Sequence, residues 1–158
     1  MAARAWRAGP HEAEVVARLL VAFRDHLGYD WPSDNAFLAG VERLMEDRDT
    51  DYILAGADED APAAGVAQLR FRFGIWRAGG DCLVEDVFVT DAARGRGVAR
   101  ALLDLATARA LERGCRRMEL DVNEANTPAL RLYESYGFSA GEPRDLYMRR
   151  HLDAGPEA

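Results

Sequence analysis

The sequence contains no lysine: all 20 of its basic residues are arginines, set against 27 acidic ones for a net charge of −7. Without lysine there is no Schiff-base nucleophile, no pyridoxal phosphate anchor and no Walker-A grip on a phosphate. The acidic balance argues against general binding to nucleic-acid phosphates. Cysteine is scarce, and Cys82 and Cys115 stand too far apart for metal-ligand spacing, while His11, His26 and His151 are isolated. No metal site is expected. The thiols read as free in a reducing cytosol, with a single disulfide as the alternative. No apolar run approaches the ~18 residues of a membrane span, and the first ten residues lack the apolar core of a secretion signal. The expectation is a cytoplasmic protein with no membrane, metal or nucleic-acid partner.

What is present fits one ordinary domain. Of 158 residues, 49% are apolar, enough for a sizeable core. Residues 1–152 read as the domain and 153–158 as a loose tail. A short strand, Ala3 to Ala8, precedes Gly9-Pro10. Val15, Val16, Leu19, Leu20, Phe23 and Leu27 then recur at helical spacing up to Gly28. Pro32-Ser33 opens a second helix. From Tyr52 the period becomes that of strands: Tyr52–Ala55, Gly65–Phe73 and Cys82–Val89, separated by the turns Asp58–Pro62 and Arg77–Asp81. Gly97–Arg113 is helical again, Arg117–Val122 alternates, and Thr127–Ser135 forms a helix stopped by Gly137. Two short strands follow, around Phe138 and Leu146–Met148. The order β-α-α-β-β-β-α-β-α-β-β describes an α/β (α+β) fold. Its central sheet is mixed and mostly antiparallel, with helices flanking it and one strand–helix–strand crossover.

The chemistry concentrates in Leu83 to Leu102, which runs strand, Arg/Gly loop, helix. The loop Arg94-Gly95-Arg96-Gly97-Val98-Ala99 places unencumbered backbone N–H groups where a helix begins, and such a terminus suits a pyrophosphate. Glycines allow close approach of the anion, and the arginines add charge-assisted contacts. A dinucleotide fingerprint fails because Arg100 stands where the third Gly or Ala is needed. The plainer alternative is an Arg-rich surface turn.

Arg94-x-x-Gly97-x-Ala99 at this junction resembles the Gln/Arg-x-x-Gly-x-Gly/Ala motif of the GNAT superfamily of N-acetyltransferases. Asn123 through Phe138, with Asn126, Leu132, Tyr133 and Gly137, resembles a second block of that superfamily, and the element order agrees over nearly the whole chain. Within it, Val84–Val89 is nearest in pattern to the spermidine/spermine and thialysine acetyltransferase branch. That branch has an aromatic residue where this chain has Ala125.

The resemblance implies acetyl-CoA as donor and direct attack by an amine on the thioester. It points to Val87, Phe88 and Val89 for the pantetheine arm, and to Arg94, Gly95, Arg96, Gly97, Val98, Ala99 and Arg100 for the diphosphate. Asn126, Ala129 and Tyr133 join the donor side. Glu85 is the candidate general base, because alternation sets it in a row with Leu83, Val87 and Val89; the alternative is a carboxylate paired with Arg70 or Arg72. Tyr133 is the candidate acid for the departing thiolate, with core packing as its alternative, and Asn126 reads as a helix cap as well. On the acceptor side, Asp30, Trp31, Phe73, Glu85 and Asp86 are expected, with Phe71 and Trp76 as further aromatics. Asp25, Asp30, Asp34 and Glu124 would make the mouth acidic, unless they form merely a solvated acidic surface. The acceptor is expected to be a small-molecule amine and the enzyme a homodimer. A non-catalytic acyl-CoA-binding or sensing domain, or a protein or peptide N-acetyltransferase, are the alternatives.

Overall fold

Thr50–Gly56 (β2) is buried at every one of its positions, which marks it as a central strand. The computed structural model describes residues 2–153, so the 153–158 tail read from the sequence lies almost wholly outside the described residues. β2 pairs antiparallel with Arg4–Arg7 (β1) on one side and with Gly65–Gly74 (β3) on the other; β3 pairs antiparallel with Gly79–Val89 (β4). Cys115–Leu120 (β5) lies beside β4, and the sheet order is β1-β2-β3-β4-β5. Between β4 and β5 the chain passes through a helix, Val98–Glu112 (α3), the kind of connection that parallel neighbours require.

Two helices, Ala13–His26 (α1) and Asp34–Met45 (α2), cover one face. Val16, Leu19, Leu20 and Val41 cluster there with Tyr52, Leu54, Val66 and Phe88. α3 covers the other face with Val98, Leu102, Leu103 and Ala106. Gly65 shows how close that approach is: a Cβ there would lie 2.6 Å from Val98 Cγ1. Fully buried leucines such as Leu102 contribute roughly 1.5–3 kcal/mol each.

Thr127–Ser135 (α4) belongs to a second compact unit, which begins at Leu120; the first ends at Glu119. Gly137, at φ +90°, closes α4 as expected, with its N–H on the Glu134 carbonyl. The two strands expected around Phe138 and Leu146–Met148 are not formed among the described residues. Gly141, at φ +83°, and Pro143, which has no N–H, interrupt the segment. Leu146, Tyr147 and Met148 are exposed at 76%, 66% and 84%, with no ladder to join. Other boundaries move slightly: β4 starts at Gly79, inside the expected turn, and β5 is shifted two residues towards the N-terminus.

Candidate functional site

Strand β4 carries an irregularity where the chemistry was expected. Opposite it on β3, Val66 pairs with Phe88 and Gln68 with Glu85, so β4 has one residue more than β3 over this interval. The extra residue is absorbed at Asp86, whose φ of +55° is seldom adopted by a residue with a side chain. This is a β-bulge, the device by which a strand re-aims its side chains. Glu85 and Phe88 therefore share a face. The row Glu85, Val87, Val89 expected from strict alternation does not exist, since Val89 pairs with Gly65 on the opposite face.

On the α1 side of the sheet, the Phe88 ring stacks on Phe23 at 5.0 Å and meets His26 at 5.9 Å. Glu85 Oε2 accepts a hydrogen bond from Gln68 Nε2 at 3.1 Å. Arg72, one of the arginines considered for Glu85, is instead held by Glu119 and Asp81. Tyr52, paired with Gln68 in register, is buried. Burial first, then the Asp86 and Glu85 charges, push its phenol well above its ordinary range against the pull of Arg70. Asp86 combines an accessible surface with dense surroundings: solvent reaches the residue, yet desolvation raises its carboxyl above the usual range. Tyr52 and Gln68 were read from the sequence only as strand residues, and no local signal distinguishes them.

Beyond β4 the chain makes a tight turn at Asp91–Ala93 and reaches α3 through Arg94–Gly97. Gly95 and Gly97 sit at φ +75° and +83°, conformations that favour glycine. The N-cap of α3, Gly97, offers no side-chain acceptor, whereas Ser33 caps α2 and Asn126 caps α4. Residues Gly95, Arg96 and Gly97 are exposed, Ala99 is half-buried and Val98 turns into the core. An uncapped helix start behind exposed glycines fits the diphosphate of a CoA donor. Arg94 is committed elsewhere: its Nε donates to the Val89 carbonyl at 3.3 Å, and its Nη1 lies 3.3 Å from Asp91. Arg100 is exposed on the first turn of α3.

In the second unit, Asn126 Oδ1 accepts from the Ala129 N–H at 3.3 Å, which establishes it as the cap of α4. Tyr133 is buried; its ring meets Phe138 edge-on at 6.1 Å, and desolvation raises its phenol, which therefore stays protonated through neutral pH.

The expected acceptor mouth changes most. Arg24 donates to both Asp25 and Asp34 and to the Pro32 carbonyl, so two of the four acids serve to brace the α1–α2 connection. Glu124 is paired with Arg144. Of the four, Asp30 remains on the exposed connection, beside a Trp31 that is 54% exposed. Phe73 pairs with Gly80 five positions along β3 from Gln68, about 17 Å at strand spacing, so the structure does not bring it to Glu85. Phe71 is core, and Trp76 is 93% exposed at the β3–β4 turn. Both cysteines are free thiols, which settles the disulfide alternative. Among the described residues no helix is long and apolar enough to cross a membrane.

The chain is similar to known proteins. Over 65 residues the chain is 50% identical to mycothiol acetyltransferase from Jonesia denitrificans, covering 41% of this chain and 18% of the relative. Aminoglycoside N(6')-acetyltransferase type 1 from Salmonella typhimurium is 32% identical over 123 residues, 76% of this chain and 85% of that protein. A solved structure from Arthrobacter sp. FB24 superimposes with a TM-score of 0.83 at 30% identity, covering 94% of this chain and 95% of that one. The chain spans less than half the length of the first curated relatives it matches. A model of the acetyltransferase (GNAT) family matches residues 16–138, and the chain belongs to that family.

Proposed function

We propose that this chain is an N-acetyltransferase that moves the acetyl group of acetyl-CoA to a primary amine of a small molecule. The observation that carries the reading is the uncapped, glycine-lined start of α3 directly after the bulged strand that bears Glu85. Residues Gly95 to Arg100 hold the diphosphate, and amides of Val87 to Val89 take the pantetheine arm. Glu85 removes the ammonium proton, directly or through water, and the freed amine attacks the thioester carbonyl. The C–S bond breaks, Tyr133 gives its phenolic proton to the thiolate, and the proton that the attacking nitrogen sheds on becoming an amide returns through water to the phenolate. Asp86, Asp30 and Trp31 receive the acceptor. Asn126 and Ala129 stay on the donor side by their place in the second motif.

A relative named for aminoglycosides supports amino sugars as acceptors, and the Val84–Val89 pattern keeps polyamines beside them. Residues 1–152 act as one catalytic domain. The free thiols support a cytoplasmic protein, and the exposed apolar segment at Leu146–Met148 supports a homodimer. A thiol-release assay with acetyl-CoA against aminoglycosides, polyamines, amino acids and peptides tests the reading. Acetyl-dependent thiol release with one of the small amines supports it. Tight CoA binding without release for any acceptor would favour a sensing domain, and release with peptides alone a protein acetyltransferase.

A further inference from the structure

The three nitrogens of the exposed Arg94 guanidinium each lie near a group of the protein. Besides Nε on the Val89 carbonyl and Nη1 beside Asp91, Nη2 lies 3.4 Å from Nε2 of His26. The guanidinium ties the end of β4, the turn before α3 and the last residue of α1 together. His26 is exposed, and its ring is steadied by Phe88. Nη2 donates in this contact when Nε2 offers a lone pair, as it does in the imidazole tautomer that carries its proton on Nδ1.

We propose that His26 is a positioning residue of the acetyl-CoA loop, acting through Arg94 to hold residues 94–97 in the conformation that presents their amides to the diphosphate. The proposal rests on reading that loop as the diphosphate site. A loop with two left-handed glycines has many conformations to lose on binding, and a brace that removes them beforehand raises affinity without touching the ligand. A second proton on His26 would remove the acceptor and set cation against cation. The charged groups around the pair are few. Asp91 faces the guanidinium from its own turn, and Asp25 next to His26 is engaged by Arg24. From β4 come the Phe88 ring and the Val89 carbonyl, neither of which titrates.

The test is calorimetry of CoA binding to the wild-type chain, His26→Ala and His26→Gln at pH about 7.5 and about 5.5, the range over which histidine changes charge. His26→Ala should weaken binding about three- to tenfold at the higher pH, the worth of one hydrogen bond. His26→Gln, whose amide oxygen can still accept from Arg94, should stay within about twofold of wild type there. On acidification the wild type should lose more affinity than the Gln variant; the ligand's own phosphate ionisation is common to both. Unchanged or tighter binding by His26→Ala overturns the proposal, as does a loss that Gln does not recover or a Gln variant with the wild-type pH response. A wild-type chain that fails to bind CoA overturns the diphosphate reading along with it. Circular dichroism confirms folding of variants at this exposed position.

Discussion

Asp81 and Glu85 hang from the same strand, four residues apart, in contrasting surroundings. Asp81 is 2% exposed and is gripped by Arg117 through two N–H groups at 3.1 and 2.9 Å. Asp51, on the other face of the sheet, is treated alike: Arg109 Nε donates to Oδ2 at 2.7 Å. Arg7 Nε lies 3.1 Å from Oδ1, an ion pair out of line for a hydrogen bond. Glu85 instead accepts from the neutral amide of Gln68, and its neighbour Asp86 is held above the usual carboxyl range by desolvation. Asp81 and Asp51 thus face guanidinium groups, whereas the Glu85 carboxylate accepts from a neutral side chain. One sheet holds carboxylates that brace it and, on the function proposed above, one that does acid–base work.

The largest effect that could break this contrast is on turnover. Glu85→Gln keeps the shape and a polar contact to Gln68 but cannot take a proton. Turnover with the true acceptor should fall by roughly 10²–10⁴-fold, with CoA affinity unchanged by calorimetry. A fall below about threefold would return Glu85 to the bracing class. Tyr133→Phe keeps the ring against Phe138 and removes only the proton donor. Steady-state kinetics should show a loss of about 10²-fold in kcat with little change in melting temperature.

Asp51→Asn sharpens the contrast from the other side. It leaves Arg109, only 17% exposed, with the exposed Glu112 as its remaining charge partner, while Arg7 can turn to water. Unfolding free energy should drop by about 3 kcal/mol, the low end for a broken buried pair, and melting should fall by roughly 6–12 °C. The specific activity of the folded fraction should be preserved; a loss of activity without a loss of stability would put Asp51 in the site.

The last effect concerns a neutral buried group and appears only above neutral pH. Burial pushes the Cys82 thiol up to about 12, so the unfolded chain ionises it first. Its contribution is intact below the ordinary thiol range near pH 8.5 and is lost as pH climbs from there towards 12, by at most about 1.4 kcal/mol per unit. Urea unfolding at successive pH values above 8 should show this decline, and Cys82→Ala should flatten it.

Most of the framework was legible because its signals are local. The 3.6-residue spacing of Val16, Leu19, Leu20 and Phe23, the Ser33 and Asn126 caps and the glycines at the loop each act within a turn or two of themselves. The roles of Arg24 and Arg94 were not legible. Arg24 reaches Asp34 across a connection, and Arg94 reaches His26, 68 positions away in the chain. The same limit explains the missing C-terminal strands. Alternating apolar residues at Leu146–Met148 satisfy a strand pattern, but only a neighbour completing the ladder makes a strand.

The sequence by itself determined the family, the element order up to α4 and the glycine-lined start of α3, since these follow from residue types at fixed short spacings. Only the tertiary structure decided which partner each carboxylate of the sheet meets. That choice depends on register: one extra residue at Asp86 re-aims Glu85 beside Gln68 rather than along Val87 and Val89. A bulge exists only as a mismatch between two paired strands, and no stretch of one strand contains it.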